Sequence, residues 1–305
     1  MSEKYIKFFE GFALAYGVAD MSTLKVDPES RKQKPIYRWN DEPLTSEVYL
    51  NHLAGTQSIG VQPCNQESEA RFGVIDVDPK NYSDFDKKFF IDIIQNYKLP
   101  LIPILSKSGG LHLYLFMNSF VPADLIKSFL SNLLPLFKLK PDCEIFPKQT
   151  QLTKDSDTGQ LNKGNFINLP YFKKSERLAI NLDGKPFTFD EFISLVESNT
   201  VSAQDLKIIT ESIEQKDLEG VDEEFNDGPP CLAHLSKIMR NPGFDGKDRF
   251  MYNYHVFVKM KFPDSWQQKV MNAPVKYFEP VHANAWDKQA LNAKVRSWSK
   301  QFKGY

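Results

Sequence analysis

Alternating apolar and polar positions predict three strands in the middle of the chain. In residues 72–78 (FGVIDVD), alternation places Asp76 and Asp78 on the same face as two apolar side chains. Residues 101–105 (LIPIL) form a short apolar segment, and residues 111–116 (LHLYLF) alternate strictly. A turn rich in Ser and Gly separates these two segments, which therefore predict a hairpin.

Apolar residues recur at helical spacing before and after this hairpin. They do so over residues 85–97, with Ser83 as the predicted N-cap, and over residues 122–137. Residues 143–146 (CEIF) predict one more strand. The resulting order β-α-β-β-α-β is typical of the RRM-like, split βαβ (ferredoxin-like) arrangement, in which the first and third strands lie side by side in the centre. We therefore expect an α+β core.

The segments around this core are predicted to elaborate it. Residues 47–53 (EVYLNHL) indicate a helix and residues 58–62 (SIGVQ) a strand, while residues 25–39 read as a basic, proline-containing loop. Residues 164–172 (GNFINLPYF) predict a further strand that extends the sheet, and residues 189–196 a short helix. The first part of the chain is thus expected to form an N-terminal α/β elaboration of the core.

Charge divides the chain unevenly. Residues 211–227 contain eight acids and one lysine, followed by Gly-Pro-Pro, which is typical of a linker. Residues 231–305 contain thirteen Lys and Arg against five acids and have helical periodicity, which predicts a small basic helical bundle. We expect an α+β domain over 1–200, an acidic linker region over 201–230 and a basic helical domain over 231–305.

Composition is that of an ordinary soluble protein. Of 305 residues, 41% are hydrophobic and 25% charged, and the formal net charge of −1 excludes a polycation that coats DNA along its whole surface. No stretch approaches the roughly 18 apolar residues of a membrane span, so we expect a cytoplasmic protein with no membrane partner. Cys64, Cys143 and Cys231 lie far apart, which argues against disulfides and against a zinc site.

Three acidic side chains are predicted to converge on one face of the sheet. Two carboxylates at positions i and i+2 of a strand end, with a third on a neighbouring strand, provide hard oxygen ligands for a pair of Mg²⁺ or Mn²⁺ ions. Asp76, Asp78 and Glu144 fit this description. The alternative is that the two aspartates are solvated strand-end residues. A central strand makes two unpaired acids costly unless cations or hydrogen bonds satisfy them.

The turn Ser106–Gly110 (SKSGG) precedes His112 by two residues. Its backbone N–H groups, two hydroxyls and one cation suit an anionic phosphate chain. The alternative is a plain hairpin turn that uses glycine for a positive φ. Lys148 and Gln149 follow Glu144 closely enough to reach the same phosphates, although each alone is typical of a surface.

Four motifs in order carry a family resemblance. The segments RFGVIDVD, SKSGGLHLYLF, EIFPKQ and GNFINLP, within about residues 59–172, resemble the catalytic motifs of the archaeo-eukaryotic primase superfamily, in particular the primase-polymerases of bacteriophages and mobile elements. Two positions depart from the pattern. Many members have Asp where Glu144 stands, and many have a polar residue where Gly110 stands, two before the histidine.

The resemblance implies a DNA primase-polymerase, a nucleotidyltransferase that synthesises and extends primers on single-stranded DNA in phage-type replication, in the host cytoplasm. It implies Asp76, Asp78 and Glu144 as metal ligands, with His112 as a further catalytic residue. Nucleotide binding is expected from Ser106, Lys107, Ser108, Gly109, His112, Lys148 and Gln149. The expected cofactors are two Mg²⁺ or Mn²⁺ ions and no zinc. The expected partners are a single-stranded DNA template, a dNTP or NTP, and a replicative helicase in the same or a separate chain.

A template strand needs a positive groove and stacking surfaces. The candidates are Arg31, Lys32, Arg38, Trp39, Arg249, Lys259 and Arg296. For any one of them alone, a solvated position on a helix or loop is the alternative.

Two other functions stay open at this point. Nucleotide-sugar transferases also use a D-x-D motif with Mn²⁺. A non-catalytic replication initiator would hold single-stranded DNA on the sheet, with Tyr114 and Phe116 as stacking residues, but would not require three acids on that face. No steric gate is evident, so the choice between dNTP and NTP is undetermined.

Overall fold

The computed structural model divides into two compact units, Met1–Thr210 and Glu211–Tyr305, each with a hydrophobic core. The residues that it describes are 1–26, 33–82, 85–154, 156, 159, 161–218, 223–225, 228–239, 246–278 and 286–301. Helices and antiparallel sheets both contribute to the first unit, so the predicted α+β class is confirmed.

Residues 1–218 form a mixture of helices and strands. In chain order they are α1 (Ser2–Phe8), β1 (Tyr16–Val26), β2 (Gln33–Asn40), α2 (Ser46–Ala54), β3 (Ile59–Val61), β4 (Glu69–Val77), a 3₁₀ helix (Pro79–Asn81), α3 (Lys87–Asn96), β5 (Leu101–Leu105), β6 (Leu111–Pro122), α4 (Ala123–Leu133), β7 (Glu144–Phe146), β8 (Ile167–Asn168), α5 (Phe189–Asn199) and α6 (Ala203–Leu218).

Two four-stranded sheets form the first unit. One has the order β5-β6-β4-β7 and is antiparallel throughout, with β4 and β6 in the centre. The other has the order β2-β1-β3-β8 and is also antiparallel. We call the first the catalytic sheet, because it carries Asp76, His112 and Glu144, which the sequence analysis expects to be catalytic, and the second the N-terminal sheet.

Helix α4 packs closely against the catalytic sheet. A Cβ atom on Gly73 of β4 would lie 2.3 Å from Ile126 Cγ2 and 2.9 Å from Leu130 Cδ1. Glycine at this position therefore lets the helix approach the strand directly. Because side chains alternate along β4, the opposite face of the strand is the one that presents Asp76.

The two sheets share an aromatic-rich core. From the catalytic sheet, Phe72, Val74 and Tyr114 are fully buried, and they belong to one cluster with Ile59 and Ile167 of the N-terminal sheet. The residues that follow Val74 on the same face are acidic. The hydrophobic layer therefore ends where the D-x-D motif begins.

His52 is a buried polar residue within this core. Its Nε2 donates to the backbone oxygen of Pro170 (2.8 Å), and its Nδ1 accepts from the backbone N–H of Ile59 (3.2 Å). These contacts require the neutral ring, and burial lowers the pKa of His52 to about 4.

Several predicted elements differ from those observed. The predicted loop over 25–39 contains most of β2, which pairs with β1 over its whole length, because long-range hydrogen bonds outweigh weak local propensity. The strand predicted over 164–172 is only β8, and it pairs with β3 of the N-terminal sheet instead of extending the catalytic sheet. Helix α3 is capped by Asp86, which accepts from the backbone N–H of Lys88 (2.9 Å). Ser83, the predicted cap, lies outside the described residues.

The predicted acidic linker region begins as a helix, because α6 covers Ala203–Leu218. The described elements that follow are a 3₁₀ helix (Glu223–Phe225), α7 (Pro230–Ile238), α8 (Lys247–Lys261), α9 (Trp266–Tyr277) and α10 (Lys288–Gln301). Helix α9 contains Pro274 in its interior, where a proline cannot donate a backbone hydrogen bond. Among the described residues, none of the helices combines the length and apolar character needed to cross a bilayer.

Glu224 is buried in the second unit, with its side chain 5% exposed. Its carboxylate accepts hydrogen bonds from Tyr254 Oη (2.7 Å) and Tyr277 Oη (3.0 Å) and pairs with Lys269. Burial alone would raise the pKa of Glu224, but the hydrogen bonds from Lys269 and the two tyrosines outweigh it and lower the pKa. The carboxylate therefore links several helices of this unit.

Candidate active site

His112, Asp76 and Glu144 form one row across three adjacent strands. In the strand register, Asp76 of β4 lies directly opposite His112 of β6 on one side and Glu144 of β7 on the other. Opposed residues of antiparallel strands have Cα atoms about 4.5–5.5 Å apart and share a sheet face. His112 Nε2 lies 3.3 Å from Asp76 Oδ1. Asp78, two residues further along, extends the row toward the strand end.

Each carboxylate also has a partner within the protein. Glu144 Oε1 pairs with Lys148 Nζ (2.8 Å), and Asp78 Oδ1 accepts from the backbone N–H of Lys80 (3.1 Å), which caps the 3₁₀ helix. With the side chains in the positions observed, no three His, Cys, Asp or Glu residues among those described lie close enough together to hold a metal ion.

The chemistry of this donor set nevertheless suits divalent cations, because carboxylate oxygens are the ligands that Mg²⁺ and Mn²⁺ prefer. The Glu144 side chain is 55% exposed and that of Lys148 is 29% exposed. An ion pair this exposed contributes at most about 1 kcal/mol. Breaking the ion pair so that Glu144 rotates toward Asp76 therefore costs little free energy compared with the attraction between a divalent ion and the carboxylates.

The turn Ser106–Gly110 closes the hairpin beside this row. Ser106 Oγ accepts from the backbone N–H of Gly110 (3.0 Å) and lies 2.9 Å from Ser108 Oγ. Gly109 has a φ of +90°, which favours glycine and fits the plain-turn interpretation for that residue. The two serine hydroxyls are thus ordered by the turn itself.

Gly110 allows the turn to approach β4. A Cβ atom at this position would lie 2.2 Å from the backbone oxygen of Val77, 2.7 Å from Pro79 Cδ and 3.2 Å from Ser106 Oγ. Any side chain here would therefore separate the turn from the strand that carries the two aspartates. This close approach gives the physical reason for glycine at this position.

The row and the turn open into a pocket of about 990 Å³. The residues that line it are Tyr37, Arg38, Trp39, Asp76, Asp78, Lys80, Ser106, Lys107, Ser108, His112, Glu144, Phe146, Lys148, Gly164, Asn165, Phe166, Ile167, Asn168 and Arg177. The pocket thus combines contributions from both sheets and brings together most of the predicted site residues.

Two aromatic side chains that line the same pocket, Trp39 and Phe166, form what we call the aromatic wall. The rings of Trp39 and Phe166 meet edge to face, with centroids 5.0 Å apart. A Cβ atom on Gly17 or on Gly60 would lie 2.3 Å from the Phe166 ring, so both glycines are needed to seat this ring over the N-terminal sheet. Aromatic faces of this kind are suited to stacking against nucleobases.

A family model for the archaeo-eukaryotic primase domain of TOTE conflict systems matches residues 17–206 of this sequence. The chain belongs to this family. The match spans both sheets and every residue that lines the pocket. Membership supports a primase-type nucleotidyltransferase that acts on nucleotides and nucleic acid, and the family generally uses divalent metals.

The chain has slight similarity to a solved structure described as primase RepB′. The two share 13% sequence identity with a TM-score of 0.31, over all of this chain and 93% of that chain. A search of curated proteins finds no match.

Two residues predicted to bind nucleotide are not part of the pocket lining of the primase domain. They are Gly109, at the outer side of the turn, and Gln149. Gln149 Oε1 accepts from the backbone N–H of Asn165 (2.9 Å), and its Nε2 donates to Asn165 Oδ1 (2.7 Å). Gln149 therefore holds the loop whose Asn165 does line the pocket.

The predicted template-binding residues are distributed between the two units. Arg38 and Trp39 line the pocket, whereas Arg31 and Lys32 lie outside the described residues. The remaining three are on helices of the second unit, Arg249 and Lys259 on α8 and Arg296 on α10.

The sheet face proposed for the non-catalytic alternative is not accessible. Tyr114 and Phe116 are 0% and 1% exposed, so neither ring can stack against a nucleobase. They pack instead in the core between the two sheets.

Sequence reasoning missed several pocket residues that carry charge or aromatic surface, among them Arg177 and Phe166. Nothing in the local pattern marks either one. Phe166 alternates with apolar neighbours like any strand residue, and Arg177 follows a run of charged residues typical of a surface loop.

Proposed function

We propose that this pocket carries out template-directed nucleotidyl transfer, which makes the chain a DNA primase-polymerase. The observation that supports it most is the row His112–Asp76–Glu144, which continues to Asp78 and opens beside the Ser106–Gly110 turn. Three acids and a histidine on adjacent strands would place cations and phosphates within one pocket.

In this proposal Asp76, Asp78 and Glu144 hold two Mg²⁺ or Mn²⁺ ions. When bound, such ions lower the pKa of an attacking hydroxyl and neutralise the leaving phosphates. The 3′-oxygen of the primer forms a bond to the α-phosphorus of the nucleotide, and the bond to pyrophosphate breaks. His112 and the hydroxyls of Ser106 and Ser108 donate hydrogen bonds to the phosphate oxygens.

The aromatic wall would then position bases. Trp39 and Phe166 line the same pocket as the turn, so a nucleotide with its phosphates on the turn would place its base against them. Arg38, which also lines the pocket, is the proposed contact to the template backbone.

We also propose an RRM-like core, a nucleic-acid-binding helical domain and a role in replication. The series β4-α3-β5-β6-α4-β7 is interpreted as the split βαβ, RRM-like core, with the catalytic domain over 1–200. The basic helical domain over 231–305 would contact nucleic acid through its excess of Lys and Arg. Primer synthesis in phage-type replication, together with a helicase, is the proposed setting.

The test is primer extension and de novo synthesis on a single-stranded template with labelled nucleotides and Mg²⁺ or Mn²⁺. The variant Asp76→Asn with Asp78→Asn is expected to lose on the order of 10²-fold or more in rate, because a charge-stabilising group at the transition state is removed. Mn²⁺ binding, followed by titration calorimetry, should weaken in the same variant.

Asp92→Asn is the matched control, since Asp92 lies on the exposed face of α3 and pairs only with Lys88 (2.6 Å) among its described contacts. It should synthesise product like the wild type. Equal product from the wild type and the double variant would overturn the proposal.

A further inference from the structure

Arg177 lies beside the Ser106–Gly110 turn. The backbone N–H of Leu105, the last residue of β5, donates to the oxygen of Leu178 (2.9 Å), and Ile104 pairs with Ala179 in antiparallel register. Continuing this register places Arg177 at the level of Ser106, the first residue of the turn. Arg177 and Ser106 both line the pocket.

The side chain of Arg177 is partly buried and lacks the acidic partner that such a cation normally has. Its Nη2 donates to Ser58 Oγ (3.0 Å) and its Cζ lies 5.6 Å from the centroid of the Phe172 ring, but its buried Nε has no hydrogen-bond partner. No described carboxylate forms an ion pair with it, and the neighbouring Glu176 pairs with Lys173. Burial lowers the pKa of Arg177 from its ordinary value.

This arrangement is costly for a residue with a purely structural role. A charge withdrawn from water is usually paired, and of the five N–H donors of this guanidinium the Ser58 hydroxyl accepts from one, while the buried Nε has no partner. The backbone of Arg177 is also left-handed, with a φ of +55°, a conformation that costs roughly 1 kcal/mol or more for a residue other than glycine. Both costs are offset if an anion binds to the guanidinium in the pocket.

We propose that Arg177 binds the terminal phosphates of the incoming nucleoside triphosphate. The planar fork of an arginine fits two phosphate oxygens at once. Its place beside Ser106 puts it at the turn side of the pocket, whereas Glu144 lies at the far end of the carboxylate row. This inference rests on the proposed function and deepens it, because it names the residue that distinguishes a triphosphate from a monophosphate.

The experiment measures binding of dNTP, dNMP and inorganic tripolyphosphate to the full chain by titration calorimetry with Mg²⁺. Arg177→Gln is expected to weaken dNTP and tripolyphosphate binding by about 10- to 100-fold, the loss expected for one charge-assisted contact. Binding of dNMP should hardly change. In primer extension, KM for the nucleotide should rise more than kcat falls.

Arg38→Gln is the matched control, because it removes the same charge from the same pocket at a residue of β2, which is far in sequence from Arg177. It should weaken binding of a single-stranded oligonucleotide and leave tripolyphosphate binding unchanged. Arg177→Lys keeps the charge but not the planar guanidinium, so it should lose less affinity for dNTP and tripolyphosphate than Arg177→Gln does. It replaces Arg177→Gln in the experiment if that variant does not fold.

Two outcomes overturn the inference. One is wild-type affinity for tripolyphosphate in both Arg177 variants, and the other is an equal loss for dNMP and dNTP. A wild-type protein that binds dNTP but makes no product would count against the proposed function and leave the role of Arg177 intact.

Discussion

Gly110→Ala tests whether the turn and the D-x-D strand must touch. The added methyl group would lie 2.2 Å from the backbone oxygen of Val77, which is flanked by Asp76 and Asp78. Ordinary contacts of this kind are about 3.4 Å, so the turn and the strand must separate by roughly 1 Å. The atom in the way belongs to the backbone and cannot rotate aside.

The magnitude follows from this displacement. Overpacking of a close contact costs about 1–3 kcal/mol of folding free energy. A misplacement of about 1 Å between groups that must align costs on the order of 10²-fold in rate. We therefore expect a 10²-fold lower kcat/KM for nucleotide incorporation, measured together with stability by urea unfolding.

Gly73→Ala is the matched control on the same strand. Its methyl group would lie 2.3 Å from Ile126 Cγ2, 2.9 Å from Leu130 Cδ1 and 3.0 Å from the backbone oxygen of Phe146. The two closest atoms belong to helix α4, whose displacement leaves the Ser106–Gly110 turn in place. It should lower stability by a similar amount, about 1–3 kcal/mol, but change kcat/KM by less than about tenfold. The reasoning is refuted if Gly110→Ala keeps wild-type kcat/KM, or if both variants lose activity equally.

Two further predictions concern buried titratable groups. His52 has a pKa of about 6.5 in the unfolded chain and about 4 in the folded chain. Its neutral form therefore contributes up to about 3 kcal/mol to the free energy of unfolding. This contribution is fully present above pH 6.5 and should be lost as the pH falls toward 4. Urea unfolding at several pH values should show a shallower pH dependence for His52→Gln, and identical dependences would contradict the assignment. Glu224→Gln should destabilise the second unit by roughly 1–3 kcal/mol because it removes the charge from the carboxylate to which Lys269, Tyr254 and Tyr277 donate. Tryptophan fluorescence during urea unfolding reports this, since three of the four tryptophans lie in that unit, and an unchanged midpoint would contradict it.

Much of the candidate site follows from local patterns. Strict alternation with a period of two predicts that Asp76 and Asp78 share a face, and the order of strands and helices predicts which strands are neighbours. The observed pairing of Asp76 with both His112 and Glu144 agrees with that expectation. The linked motifs also predicted the primase family, which the family match confirms.

The opposite wall of the pocket could not be predicted in this way. Residues 25–39 contain charged residues and prolines that weaken any strand pattern, and only pairing with β1 makes Trp39 part of a sheet. Phe166 lies on a segment predicted to extend the catalytic sheet, but it is seated by Gly17 and Gly60 of the N-terminal sheet. Contacts between residues so far apart in sequence depend on the closure of the whole fold.

The amino-acid sequence by itself determined the face and order of the acidic residues, because strand alternation and element order act over a few neighbouring positions. Only the tertiary structure decided which side chains complete the pocket. It brings Arg177 to the turn through backbone pairing with β5, and it turns Gln149 away to hold Asn165. These outcomes depend on where a loop crosses a sheet edge, and that is determined by packing and long-range hydrogen bonds rather than by any local pattern.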